Sequence, residues 1–87
     1  MKAGEVIAWN LRRLRVAKGL SQESLAGDSD IDVSYVSRLE NAKENPSIGV
    51  LERLAAALGT DFFELVRKPA RPLTKLKNMP KGRKRNS

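Results

Sequence analysis

The sequence contains no cysteine and no histidine among its 87 residues. Without cysteine there are no disulfides, thiol nucleophiles or thiolate metal ligands, and without histidine the commonest metal ligand and general base are missing. Asp28, Asp30 and Asp32 alternate as in the opening of a calcium loop, but the required glycine and distal glutamate are absent. We therefore expect a binding protein with no metal and no cofactor, and not an enzyme.

Long apolar runs are also absent. No stretch approaches the ~20 apolar residues that span a bilayer. Residues 1–20 carry Glu5 and several arginines, which is unlike a signal peptide. We therefore expect a cytoplasmic protein that does not enter a membrane, with room for one small domain and no separate ligand-sensing module.

Acidic residues are missing from one region, residues 67–87, which holds nine Lys and Arg residues. Residues 1–66 hold eight Lys and Arg and all ten Asp and Glu, so their net charge is −2 although the chain as a whole carries +7. Apolar periodicity ends at the same point, and Pro69, Pro72 and Pro80 interrupt the basic region. The sequence therefore predicts a domain at 1–66 and a basic, flexible tail at 67–87.

Residues 1–66 show helical spacing of apolar residues and no strand alternation. Ile7, Leu11 and Leu14 form the stripe of a helix at 3–18, which Gly19 ends. The capping residues Ser21, Asp32, Ser47 and Asp61 predict further helices at 21–27, 32–42, 48–58 and 62–66. The fourth of these five is expected to bury Ile48, Leu51, Leu54, Ala55 and Leu58. The expected fold is an all-α, compact five-helix domain.

The second and third predicted helices are joined by the turn residues 27–30, an arrangement typical of a helix-turn-helix whose second helix enters the major groove of DNA. The sequence resembles the Cro/lambda-repressor-like (XRE) family of helix-turn-helix regulators between residues 7 and 65. The matching stretches are L-R-x-L-R at 11–15, K-G-L-S-Q-E-S-L-A at 18–26, S-Y-V-S-R-L-E-N at 34–41, N-P-S at 45–47 and L-A-A-A-L-G-T at 54–60.

This resemblance implies a lambda-repressor-like fold and binding to double-stranded DNA. The chain departs from the family pattern at Ser29, where an apolar residue is usual, and at Asp30 and Ala42, where glycine is usual. Aspartate tolerates a left-handed backbone better than most residues, so we expect the turn to survive.

The helix predicted at 32–42 is the recognition helix, the second helix of the helix-turn-helix. Its spacing predicts that the side carrying Val36 and Leu39 is buried. Its outward residues are Ser34, Ser37 and Arg38, flanked by Val33 and Tyr35. Arg38 suits a guanine, Val33 suits a thymine methyl, and Ser34 suits an undiscriminating polar contact. An isolated helix with this face would more simply be solvated, but the resemblance favours DNA reading. Covering the core is an equal alternative for Val33, and Tyr35 either packs or binds phosphate.

Two further residues are expected at the DNA backbone. Gln22 matches the glutamine with which the family contacts phosphate, and Lys43 follows the recognition helix closely enough for a second contact. A solvated loop lysine is the alternative for Lys43. The resemblance also implies that Arg15 and Glu40 form an ion pair that orients the recognition helix without contacting a base.

Three apolar residues lie outside the expected core. Trp9 is off the stripe of the first helix, and Phe63 and Val66 are a surplus at the end of the domain. Contacts within the chain and contacts in a homodimer are equally consistent with Trp9 and Phe63, and Val66 is the third candidate for a dimer contact.

The leading interpretation is a sequence-specific transcriptional regulator, a repressor or autoregulator that binds a two-fold operator as a dimer and associates with the nucleoid when bound. The alternative is a protein-interaction module, an antitoxin or a transcription bridging factor, whose basic tail binds a protein partner.

Overall fold

The computed structural model describes residues 2–69, and these residues form five α-helices and no strand. The helices are α1 (Ala3–Lys18), α2 (Gln22–Ser29), α3 (Val33–Glu40), α4 (Ile48–Ala57) and α5 (Phe62–Val66). The all-α, five-helix prediction is confirmed. None of the helices in this part of the chain is long and apolar enough to cross a membrane.

Side-chain caps set where four of the helices begin. Ser21, Asp32, Ser47 and Asp61 each accept a hydrogen bond from a backbone N–H in the first turn of the adjoining helix. These bonds satisfy donors that have no partner within the helix. At the other end of α1, Gly19 adopts φ 76°, the left-handed conformation that glycine allows without a Cβ clash.

The turn between α2 and α3 differs from the prediction. Helix α2 continues through Gly27 to Ser29, and only Asp30 leaves it, at φ 58°. Ser29 is buried, and its hydroxyl donates to the carbonyl of Leu25 at 2.6 Å. This bond lets a polar side chain occupy a buried place where an apolar residue is usual. The predicted end of α2 at residue 27 was therefore wrong by two residues.

Helix α3 is also shorter than the predicted 32–42. Asp32 is its N-cap, Asn41 is its C-cap, and Ala42 has φ 59°. The chain therefore leaves the helix through a left-handed residue, as a glycine would allow most easily. The loop that begins here carries Lys43 and Glu44 to α4.

The core lies where all five helices meet. One leucine from each helix is buried to 1% exposure or less: Leu11, Leu25, Leu39, Leu54 and Leu65. Val36 joins them from α3, so α3 is anchored by Val36 and Leu39 as predicted. The prediction that Ile48 is buried was wrong. Ile48 is 65% exposed, because it is the first residue of α4 and projects beyond the core.

Helix α5 has only five residues and is tied to α1 by a buried asparagine. The Nδ2 of Asn10 donates to the carbonyls of Leu65 at 2.9 Å and Arg67 at 2.8 Å. These are carbonyls at the C-terminal end of α5, which have no partner within so short a helix. Asn10 therefore fixes the last helix against the first.

Candidate nucleic-acid interface

Helices α2 and α3 form a helix-turn-helix whose turn is held from a third helix. Arg53 of α4 donates from Nε to the carbonyl of Ser29 at 3.1 Å and from Nη2 to the carbonyl of Asp30. The N–H of Ile31 donates to the carbonyl of Ala26 at 2.9 Å. The end of α2, and hence the direction in which α3 starts, is therefore fixed by bonds to both sides of the turn.

The outward side of α3 carries a connected polar network. The Ser34 hydroxyl donates to the Asp32 carboxylate, and Nη1 of Arg38 donates to the Ser34 hydroxyl at 3.5 Å. Nε of Arg38 donates to Oε2 of Glu44, in the loop after α3, at 2.5 Å. The three predicted residues Ser34, Ser37 and Arg38 all lie on this side, with Ser37 only partly exposed.

The Asp32 carboxylate is both the cap of α3 and the end of this network. Hydrogen bonds from the Ser34 side chain and backbone hold the pKa of Asp32 below its ordinary value of 3.8. Because the folded state favours the ionised carboxylate, the cap is complete above that ordinary value and is lost as pH falls through the lower folded pKa.

The two residues that flank the outward side are placed differently. Val33 is 38% exposed at the first position of α3, next to the outward-facing residues. Tyr35 is half-buried and packs on the core, while the Arg38 guanidinium carbon lies 5.7 Å from the centre of its ring. A cation at this distance from an aromatic face is attracted to it. Tyr35 therefore packs against both the core and Arg38.

Lys43 projects into solvent beyond the recognition helix. Its own N–H donates to the carbonyl of Arg38 at 2.8 Å, which folds the loop back onto the end of α3. Within the described residues its side chain makes no ion pair. The side chain is therefore available to an anion beside the recognition helix.

A second polar cluster is buried where α1, α2 and α3 meet. Arg15 donates to both carboxylate oxygens of Glu40, from Nε at 2.6 Å and from Nη2 at 2.9 Å, and the two residues are only 3% and 4% exposed. Arg12 lies 3.6 Å from the same carboxylate, and Nε2 of Gln22 donates to it at 3.1 Å. The structure thus joins the predicted ion pair and Gln22 in one cluster.

Four residues in these networks were not predicted from the sequence: Asn10, Arg12, Glu44 and Arg53. Asn10 had a detectable signal, because a polar residue next to Leu11 lies near the apolar stripe of α1. Glu44 and Arg53 had none, because their partners lie on other elements and their spacing follows no motif.

The three predicted dimer residues do not share one environment. Phe63 is 71% exposed, whereas Trp9 and Val66 are partly buried. The rings of Phe62 and Phe63 meet edge to face with centroids 5.3 Å apart, and Phe62 packs on the core. Phe63 is therefore the residue of this set with most apolar surface open to another molecule.

The predicted basic tail lies almost wholly outside the described residues, which include only Arg67, Lys68 and Pro69 of it. Within residues 2–69 the ten Lys and Arg balance the ten Asp and Glu, so this part of the chain has a formal net charge of zero. The net positive charge of the whole chain therefore comes from the residues beyond it.

Comparison with known proteins identifies the class. A model of the helix-turn-helix family HTH_3 matches residues 11–65. A protein of Neisseria meningitidis serogroup B described as a "hypothetical transcription factor" is 40% identical over 73 residues, which are 84% of this chain and 69% of that protein.

Solved structures agree with this. A crystal structure of a hypothetical transcription factor from Neisseria superposes with a TM-score of 0.76 at 38% identity, over 90% of this chain and 86% of that one. The restriction-modification controller protein C.AhdI from Aeromonas hydrophila superposes with a TM-score of 0.70 at 44% identity, over 71% of this chain and 94% of that one.

The fold, the helix-turn-helix and these similarities define a DNA-binding transcriptional regulator and not an enzyme. The chain belongs to the HTH_3 helix-turn-helix family, of the XRE type.

Proposed function

We propose that this protein is a repressor or autoregulator that binds a two-fold operator as a homodimer, with α3 in the major groove of each half-site. The observation that carries the proposal is the outward side of α3, where Arg38 is presented on a helix anchored by Val36 and Leu39. A helix held from behind and polar in front suits base reading.

Each outward residue has a role that follows from its chemistry. Arg38 donates two hydrogen bonds to guanine O6 and N7, and Val33 contacts a thymine methyl. The Ser34 hydroxyl, whose proton is directed at Asp32, accepts a bond from a base amino group. Ser37 completes the polar surface between them.

The backbone contacts come from the edges of the site. Gln22 donates one amide hydrogen to Glu40, and its other amide hydrogen binds a phosphate oxygen. Lys43 and the Tyr35 hydroxyl bind phosphate on the other side of α3. These contacts fix the register of the helix and carry no base information.

Selection of bound sequences from random DNA by the purified protein tests base reading. Arg38→Ala should then cost ~1–3 kcal/mol on the preferred site and relax the preference at one base pair. Arg67→Ala is a matched control, because Arg67 is also exposed and also pairs with a glutamate, Glu64, at 2.6 Å. Equal discrimination by wild type and Arg38→Ala would refute the assignment.

Dimerisation is supported by the exposed ring of Phe63, with Val66 and Trp9 as further candidates. In a two-fold dimer the two recognition helices would lie ~34 Å apart and read half-sites one turn apart. Phe63→Asp should give a monomer in sedimentation experiments and weaken operator binding. A wild-type protein that stays monomeric on its operator would contradict the dimer.

We assign a repressor because binding to an operator is by itself enough to lower transcription. A small domain that covers an operator blocks polymerase without making any further contact. Transcription in vitro from a promoter that contains the selected site should therefore fall when the protein is added, and a rise would show an activator. Acting on chromosomal DNA would place the protein in the cytoplasm, on the nucleoid.

A second candidate function is favoured by the charge of the tail, which carries seven of its nine basic residues beyond Pro69. This function is that of a protein-interaction module, an antitoxin or a transcription bridging factor, in which the basic residues of the tail bind a protein partner. In the DNA-binding function the same residues contact DNA phosphates. If about four of them engage phosphates, removing residues 70–87 should flatten the slope of log affinity against log salt by about 3–4 per chain. An unchanged slope would exclude the phosphate contacts and leave a protein partner or a merely solubilising tail.

A further inference from the structure

The side chain of Arg38 is held in one orientation by three neighbours. Glu44 binds Nε at 2.5 Å, the Ser34 hydroxyl accepts from Nη1 at 3.5 Å, and the guanidinium carbon lies 5.7 Å from the centre of the Tyr35 ring. The Arg38 side chain is nevertheless 47% exposed. It is therefore ordered by its neighbours while remaining open to a ligand.

The choice of atoms in this ion pair decides which donors remain. A guanidinium carries five N–H donors in a fixed plane, and the pair of donors on the two terminal nitrogens fits guanine O6 and N7. Glu44 uses the single donor on Nε. Both Nη2 hydrogens, and one on Nη1, remain for DNA while the ion pair stays intact.

Glu44 is in turn held by the residue that it positions. The N–H of Lys43, its neighbour in the loop, donates to the carbonyl of Arg38 at 2.8 Å. The Arg38 backbone thus anchors the loop, and the Arg38 side chain receives the carboxylate that the loop presents. The Glu44 side chain is 26% exposed, so its carboxylate is partly covered by the protein while it faces Arg38.

We propose that Glu44 is a specificity-determining positioning residue, which fixes the guanidinium of Arg38 with its terminal nitrogens toward the base edge. The proposal rests on the proposed function, in which Arg38 reads a base. An arginine free to rotate can bind a nearby phosphate instead, which raises affinity for any DNA. Glu44 prevents this in two ways, because it immobilises the side chain and its negative charge opposes the phosphates.

The test uses the full-length protein and the best site that wild type selects from random DNA. Its readout is the ratio between the dissociation constants for that site mutated at the Arg38-dependent base pair and for the site itself. Glu44→Ala should lower this ratio roughly 2- to 10-fold, the cost of one side chain that must now be ordered on binding. Affinity for unrelated DNA should rise.

One further variant separates positioning from charge, and another serves as a control. Glu44→Gln removes the charge but keeps an oxygen that can accept from Nε, so its ratio should fall less than that of Glu44→Ala. Glu64→Ala is the matched control, because Glu64 forms an equally short pair with Arg67, at 2.6 Å, on α5. Its ratio should equal that of wild type.

Other outcomes overturn the proposal, and they do so distinguishably. If Arg38→Ala lowers the ratio and Glu44→Ala does not, Glu44 does not position Arg38, although base reading by Arg38 stands. If Arg38→Ala itself leaves the ratio unchanged, both the inference and the assignment of Arg38 fail. Glu44→Ala must also have no effect on the ratio once Arg38→Ala is present, and a further fall there would contradict positioning.

Discussion

Two arginine–glutamate pairs flank the recognition helix, and they differ mainly in burial. Arg15 and Glu40 approach to 2.6 Å behind α3, with side chains 3% and 0% exposed. Arg38 and Glu44 approach to 2.5 Å in front of it, with side chains 47% and 26% exposed. The two ion pairs therefore have nearly the same length but lie in different environments, one closed to water and one open to it.

Burial decides how each of these ion pairs behaves. Charges taken out of water are stable only together, so the buried pair cannot open without a large cost and fixes α3 against α1. Charges that keep much of their hydration exchange partners cheaply. The exposed pair can therefore order Arg38 in the free protein and still yield terminal donors to DNA.

Gln22 links the buried cluster to the proposed DNA-binding surface. It stands at the start of α2, where a phosphate contact is expected, and it donates to the same Glu40 carboxylate that Arg15 holds. The placement of α3 and of the proposed backbone contact therefore depends on one carboxylate. Substitution of Glu40 should therefore disturb both the position of α3 and the proposed phosphate contact of Gln22.

The largest expected effect comes from breaking the buried pair. Glu40→Ala leaves Arg15 buried without its partner, beside Arg12, and should lower the free energy of unfolding by ~3–5 kcal/mol. DNA binding should fall chiefly through this loss of stability. Urea denaturation followed by circular dichroism measures the change.

Glu44→Ala is the matched experiment on the exposed pair. It removes a glutamate from an equally short ion pair, and because that pair is exposed the unfolding free energy should change by less than about 1 kcal/mol. Similar midpoints for Glu40→Ala and Glu44→Ala would show that burial does not separate the two pairs as we argue.

The residues that sequence patterns predicted best are those governed by local rules. Gly19 ends α1, and Ser21, Asp32, Ser47 and Asp61 begin the four helices after it, because caps act within a few residues of the chain. The buried Val36 and Leu39 followed from helical spacing in the same way. These features carry the fold class and the direction of the outward face.

Residues that act between elements were not predictable in this way. Glu44 acquires its role because the left-handed Ala42 turns the loop back toward Arg38, and Arg53 because α4 passes the end of α2. Such contacts depend on tertiary geometry that spacing along one helix does not contain.

A buried but uncharged anchor tests whether charge is needed for a large effect. Asn10→Ala leaves the carbonyls of Leu65 and Arg67 without their donor, which should cost about 1–3 kcal/mol of unfolding free energy. We expect a loss smaller than that of Glu40→Ala, because no buried charge is left unpaired. The same urea titration measures it.

Asn41→Ala is the exposed counterpart of this change. Nδ2 of Asn41 also donates to a backbone carbonyl, that of Ser37 at 2.8 Å, but the residue is exposed. Water can replace the lost donor, so the effect should stay within ~0.5 kcal/mol. If Asn41→Ala were as destabilising as Asn10→Ala, solvent access would not be the deciding variable.

The last expected effect is a gain in stability, at the residue between the two pairs. Ala42 follows Glu40 and precedes Glu44, and it holds φ 59°, which costs a residue with a Cβ roughly 1–2 kcal/mol. Ala42→Gly removes this strain but adds freedom to the unfolded chain, which returns part of the gain. The free energy of unfolding should therefore rise by about 0.5–1 kcal/mol.

The gain should leave the difference between the two pairs intact, and this makes it a sharp test. If Ala42 merely sets the backbone path, Ala42→Gly raises the urea midpoint while the ratio of affinities for the selected and mutated sites stays at the wild-type value. A falling ratio would mean that the Cβ of Ala42 stiffens the loop that presents Glu44, so that strain behind the exposed pair contributes to specificity. A lowered midpoint would contradict the strain at Ala42 itself.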